Sequence, residues 1–304
     1  MRSELEIGLL LEELSGYGYK FTKEFISRDH YLDNERPESL LKAIILDTET
    51  TGIDFISDRI IELGMVLFEY CPITGQAYRV LETYDELEDP GISIPPESTK
   101  IHGITNTMVN GHHFDELAVQ AFIAEASLII AHNAKFDRAF VEARFPFFQE
   151  KAWGCSFSQI NWNEEGLGGA KLEFLAYRYG FHYAGHRASN DCHALLEVLQ
   201  NKLPESGELA MKRLLDNASS KEIRVSAINS KFDTKDILKK RSYRWNGEKK
   251  FWSIVIDSIN LDSEIEWLRN NIYNNKSFQI ELETIDAFNR FSLRSGLTEV
   301  ITLR

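Results

Sequence analysis

Residues Ala43 to Asp54 read AIILDTETTGID: an apolar run, Ala43-Ile44-Ile45-Leu46, drives into Asp47-Thr48-Glu49, and Thr50-Thr51-Gly52 then breaks the pattern. Four apolar residues ahead of a turn signal predict a buried strand that ends in two acids. Side chains two apart on a strand share a face, so Asp47 and Glu49 point the same way and repel each other. Such a pair calls for a cation, and hard divalent ions prefer oxygen ligands. An arbitrary D-x-E is more often two solvated carboxylates before a turn, so the metal reading depends on further acids elsewhere in the chain.

Outward from this stretch, residues 59–70 and 77–84 read as two more strands, joined by the turn Pro72-Ile73-Thr74-Gly75. A loop over 89–96 and the small cluster Ile101-His102-Gly103-Ile104-Thr105 follow. A helical segment over 114–126 leads into an apolar strand at 128–131. The join His132-Asn133-Ala134-Lys135-Phe136-Asp137 then opens a helix over 133–143. A fifth strand falls near 152–156 and a helix near 171–179. Gly185-His186-Arg187-Ala188-Ser189 opens a last helix over 190–203, with Ser189 or Asn190 as its N-cap. Strands alternating with helices predict an α/β domain over 41–204. Residues 1–40 read as an N-terminal helical extension, with Leu5, Leu9, Leu10 and Leu14 at amphipathic spacing.

The chain has 304 residues, 43% hydrophobic and 12% aromatic, which suffices for one large or two modest cores. Its acidic start lacks the basic region of a signal peptide, and no apolar run approaches the about 18 residues a membrane helix needs. The expectation is a soluble, cytoplasmic protein with no membrane partner. Cys71, Cys155 and Cys192 form no C-x-x-C pair and read as reduced core thiols. A net charge of -13 argues against a surface that coats nucleic acid at large, but the charge is uneven. Ten Lys or Arg stand against four Asp or Glu between Lys221 and Trp252.

That basic stretch lies in a second unit, a small C-terminal α+β domain over 221–304. It reads as a strand (223–228), a helix (234–241), a hairpin (243–256), a helix (263–273) and a strand (278–282). Lys239, Arg241, Tyr243, Arg244 and Trp245 interleave bases with aromatics, which is how single strands are held without sequence preference. A solvated basic helix over a core built from the same aromatics fits the pattern equally well.

Taken together, LDTETTG at 46–52, HNAKFD at 132–137 and the H-x-x-x-x-D of His186 and Asp191 resemble the three motifs of the DEDDh exonucleases, the group that includes the proofreading epsilon subunit of bacterial DNA polymerase. IHGIT at 101–105 and KLEFLAYRYG at 171–180 fit as well. A tyrosine-type relative would carry Tyr four residues before the last Asp, where this chain has Arg187. The resemblance implies a ribonuclease H-like fold, a five-stranded mixed sheet flanked by helices. It also implies two divalent ions, Mg2+ or Mn2+, held by Asp47, Glu49, Asp137 and Asp191, with His186 as the base that deprotonates water. It further implies substrate contacts from Thr50, His102 and Asn133. Histidine titrates near neutral pH and suits the base role.

The expected activity is 3′-5′ exonucleolytic hydrolysis of single-stranded nucleic acid, DNA favoured, releasing nucleoside 5′-monophosphates. Trimming of RNA and a non-catalytic polymerase accessory are the alternatives, and the presence of all four acids and the histidine argues against the latter. A DNA polymerase is a candidate partner. The segment Gln200-Asn201-Lys202-Leu203-Pro204 begins like a clamp-binding motif but lacks its second apolar anchor, which favours a freestanding or accessory enzyme.

Overall fold

The structure, a computed structural model, describes residues 4–32 and 39–304, and of Glu4 and Leu5 the backbone alone. Strands β1 (Leu41–Thr50), β2 (Ile60–Tyr70), β3 (Ala77–Leu87), β4 (Leu128–Ala131) and β5 (Trp153–Cys155) form one sheet in the order β3-β2-β1-β4-β5. β2 runs antiparallel to β1 and β3, while β4 and β5 run parallel to β1. This is the expected ribonuclease H-like sheet.

Its two faces follow from the alternation along β1. Ala43 and Ile45 join Val66 and Phe68 beneath helix α4 (Ala188–Leu199). Ile44 and Leu46 join Phe140, Val141 and Trp153 beneath helix α2 (Ala134–Arg144). Two shorter helices complete the approach to the site: α1 (Pro96–His102), which ends on the left-handed Gly103, and α3 (Leu172–Arg178). Burying both faces makes the strands continuous apolar runs, and every residue of β2 is buried.

Three expectations are corrected around this core. Beyond the expected domain end at residue 204, helix α5 (Ala210–Ser219) sinks Met211, Leu214 and Ala218 into the same core as α4. The core elements therefore run past residue 204. Helix α4 starts at Ala188, ahead of the expected Ser189 or Asn190 cap: Glu62 accepts from the Ala188 amide at 2.9 Å and Asp191 from the Arg187 amide at 3.2 Å. Those carboxylates satisfy amides that a serine or asparagine cap would otherwise serve. Third, of the leucines expected to form an amphipathic face on the N-terminal helix Glu4–Gly16, the described ones are poorly covered: Leu9 and Leu10 are exposed and Leu14 is half-buried, while the Leu5 side chain and residues 1–3 and 33–38 lie outside the described residues. The extension is tied down further along, where Lys23–Glu24 pairs in parallel with Phe181–His182 and Phe25 packs on the core.

The C-terminal unit is a second five-stranded sheet. Strands β6 (Glu222–Ala227), β7 (Arg244–Asn246), β8 (Phe251–Asp257), β9 (Phe278–Ile285) and β10 (Thr298–Leu303) lie in the order β10-β9-β6-β8-β7, each antiparallel to its neighbours. Helices α6 (Lys235–Lys240) and α7 (Leu261–Asn271) complete a β-α-β-β-α-β pattern to which β10 is an addition the sequence reading did not contain. Val225, Leu238, Leu268 and Ile280 form its core.

Tyr243 belongs to that core rather than to a stacking surface: it is 3% exposed and its hydroxyl donates to Glu264 at 2.9 Å. Arg241 donates to the same carboxylate and is engaged there. Lys239, Arg244 and Trp245 remain exposed, with the Trp245 ring 5.6 Å from that of Trp252.

The two sheets meet at the segment 286–294. Trp153 on the edge strand β5 donates its amide to Ala287 at 2.8 Å. Arg138 on α2, fully buried, donates to Glu142 at 2.6 Å and to the Phe288 carbonyl at 2.6 Å. Ser292 and Arg294 complete the shell around Glu142.

Candidate active site

The carboxyl ends of the parallel strands β1 and β4 lie side by side, and the first turns of α2 and α4 converge on them. Asp47 stands opposite Gly64 across the β1–β2 ladder, and Glu49 stands opposite Glu62, just before a register shift at Thr50. Gly64 is needed because α4 lies against it. A Cβ there would come within 2.5 Å of the Ser189 nitrogen and would also strike the Ala188 backbone. This close approach carries Asp191, on the first turn of α4, over the strand acids.

Ligand oxygens of Asp47, Glu49 and Asp191 all lie within 4.8 Å of one another. Asp137, 2% exposed on the first turn of α2, reaches the same strand end from the opposite face. Its Oδ1 accepts from the Thr48 amide at 3.1 Å and from the Thr48 hydroxyl at 2.9 Å.

The electrostatics record the crowding. Burial, then Asp137, Asp191 and Glu49, hold the Asp47 carboxyl well above its ordinary range. Burial, then Asp191 and Glu62, push Glu49 up to about 8. Burial pushes Asp137 up to about 7 against the opposing Thr48 hydrogen bonds. Arg187, a cation that acts on Glu49, is already bound to Glu62 at 2.6 Å. These hard oxygen donors, close together and short of positive charge, fit a divalent ion.

His186 sits in the loop before α4 with φ 63°, and its Nε2 lies 3.4 Å from Glu173 on α3. The loop is held from behind by the Glu62 contacts to Arg187 and Ala188. Among the other expected residues, Asn133 caps α2 in the left-handed region and is exposed at the mouth. Thr50 is buried, its hydroxyl donating to the Gly52 carbonyl at 2.5 Å. His102 is buried; its Nδ1 accepts from the Ile104 amide at 3.0 Å, and the Thr50 backbone is a further hydrogen-bond partner of the ring. Burial, then His186, lower its pKa. His132 is a structural residue, bonded to Ser156 at 2.8 Å and to the Ala170 carbonyl at 2.7 Å.

Two groups at the site escaped the sequence reading. Tyr183 donates its hydroxyl to Asp191 at 2.7 Å, and Glu62 anchors the His186 loop. Glu62 had left a signal, as an acid inside the apolar run of β2. Tyr183 had left none.

Fold and site together define a protein with a ribonuclease H-like sheet and a carboxylate cluster at its strand ends. Residues 44–199 match the family model described as Exonuclease, and the chain belongs to that family. Its relatives include the DNA polymerase III subunit epsilon of Treponema pallidum (strain Nichols), 32% identical over 162 residues that make up 50% of this chain and 72% of that protein. They also include the PolC-type DNA polymerase III of Caldanaerobacter subterraneus subsp. tengcongensis, 27% identical over 56% of this chain; the match spans only 12% of that much longer protein. The zinc-bound E. coli ExoI–ssDNA complex is similar at a TM-score of 0.49 and 15% identity, covering 76% of this chain and 71% of that one. Among the described residues no helix is long and apolar enough to cross a membrane.

Proposed function

We propose that this chain is a divalent-metal-dependent 3′-5′ exonuclease that removes nucleoside 5′-monophosphates from single-stranded nucleic acid, with DNA the favoured substrate. The observation that carries the reading is the cluster of Asp47, Glu49 and Asp191 ligand atoms within 4.8 Å, with Asp137 completing it from α2. These four carboxylates would hold two ions, Mg2+ or Mn2+. When bound, such ions neutralise charge on a phosphodiester and ease the deprotonation of water.

The chain's own residues supply the rest. His186 Nε2 accepts the proton of the attacking water, and Glu173, 3.4 Å away, stabilises the charge it then carries. Glu62 keeps the loop in place through Arg187 and Ala188, so the base needs little reorganisation. Tyr183 orients the Asp191 carboxylate. His102, buried against the Thr50 backbone, and Asn133, at the mouth, offer polar contacts to the terminal nucleotide, and the backbone at Thr50 adds to them. In the C-terminal unit Lys239, Arg244 and Trp245 are the surface groups suited to a single strand.

The names of its relatives bring a DNA polymerase forward as a partner. The appended sheet and the missing clamp anchor favour an accessory or freestanding role. The test is degradation of single-stranded DNA by the wild type, Asp47→Ala and His186→Ala with Mn2+. Losses of at least a hundredfold in both variants are expected, and undiminished cleavage by either defeats the assignment.

A further inference from the structure

A groove of about 290 Å³ opens beside the catalytic cleft, lined by Ile53 and Phe55 from the loop after β1, by Lys135 and Phe136 from the start of α2, and by Leu293 from the C-terminal unit. Asn133 lines both this groove and the cleft that holds Tyr183, His186 and Asp191, so the two adjoin at that residue. Ile53 is 88% exposed and Leu293 55% exposed, two large aliphatic side chains from distant parts of the chain brought together on one groove. Apolar surface of that kind marks a contact site.

The wall that carries Leu293 is held firmly. Ser292 donates to Glu142 at 2.7 Å, Arg294 donates to the Gln149 carbonyl at 2.9 Å, and Arg290 donates to the Ala218 carbonyl at 3.1 Å.

We propose that the segment between β9 and β10 supplies, through Leu293, the outer wall of a groove in which bases of single-stranded DNA lie as the strand enters the catalytic cleft. This rests on the exonuclease reading above. The occupant follows from three features: the shared Asn133 that sets the groove beside the cleft, the Lys135 side chain to meet a phosphate, and apolar walls with the Phe136 ring to take the flat face of a base. The C-terminal unit then acts on substrate as a fixed part of the channel rather than as a tethered binding module.

The test uses the full chain and two substrates, dT20 and the p-nitrophenyl ester of thymidine 5′-monophosphate, which is too short to reach the groove. Leu293→Asp places a negative charge on the wall. It should lower the ratio of kcat/KM for dT20 to that for the ester about tenfold, whereas Leu293→Phe should hold that ratio within about threefold of the wild type. Fluorescence anisotropy of labelled dT20, with Ca2+ in place of Mn2+, should show a matching weakening in Leu293→Asp. A ratio and an affinity both within twofold of the wild type overturn the proposal. A larger loss on rU20 than on dT20 overturns the commitment to DNA. A wild type that binds dT20 but turns over neither substrate overturns the exonuclease reading itself.

Discussion

Stripped of divalent ions, the acid cluster should make the protein less stable as the pH rises. Burial, then Asp191 and Glu62, push Glu49 from 4.5 to about 8, and burial pushes Asp137 from 3.8 to about 7. Folded-state values above the unfolded ones mean that the native protein holds these protons longer. Between about pH 4.5 and 8 the native state therefore binds more protons than the unfolded chain, and the free energy of unfolding falls with pH. This is the reverse of an ion-paired aspartate. At about 1.4 kcal/mol per pH unit, Glu49 alone sets a ceiling of about 5 kcal/mol. Partial solvent access, and the relief that one protonated acid gives its neighbours, bring the expected loss to about 2–3 kcal/mol. For a chain of this size that is a fall of roughly 3–5 °C in Tm.

The assay is thermal unfolding in EDTA at pH 5 and pH 8, repeated with Mn2+ and with Glu49→Gln. The expected result is a lower Tm at pH 8 that Mn2+ restores and that Glu49→Gln largely abolishes. A Glu49→Gln profile parallel to the wild type, or an Mn2+ increment equal at both pH values, would refute the electrostatic reasoning.

Tyr183→Phe removes the hydroxyl that donates to Asp191 at 2.7 Å. It should weaken Mn2+ binding about tenfold, read by calorimetric titration, with Tm in EDTA lowered by no more than a few degrees. Arg138→Met removes the buried guanidinium that joins α2 to the Phe288 carbonyl and leaves Glu142 short of a partner. A loss of about 3 kcal/mol in urea unfolding is expected, and a change below 1 kcal/mol would show that the seam between the sheets contributes little.

The sheet and the acid cluster were legible because both rest on short-range pattern. Period-two alternation puts Asp47 and Glu49 on one face, and apolar runs bounded by turn residues mark the strands. What escaped was set by partners far along the chain. Arg138 is buried because carbonyls about 150 residues away receive it. Tyr243 looks like a stacking platform among lysines and arginines until Glu264, 21 residues on, takes its hydroxyl. A short helix in 203–222 was legible, but not that α5 packs Met211 and Leu214 into the core of the α/β domain, because its partners lie on α4 and the sheet. The early start of α4 depended on Glu62 from another strand, a capping acid that no local rule supplies.

The central claim is metal-dependent removal of nucleotides from the 3′ end. It is tested most directly by following dT20 labelled at either its 5′ or its 3′ end, with Mn2+ or with EDTA. The expected result with Mn2+ is a descending ladder from the 5′-labelled strand and immediate release of labelled mononucleotide from the 3′-labelled one, with both strands intact in EDTA. Labelled mononucleotide released first from the 5′ end, or cleavage that persists in EDTA, would contradict the account.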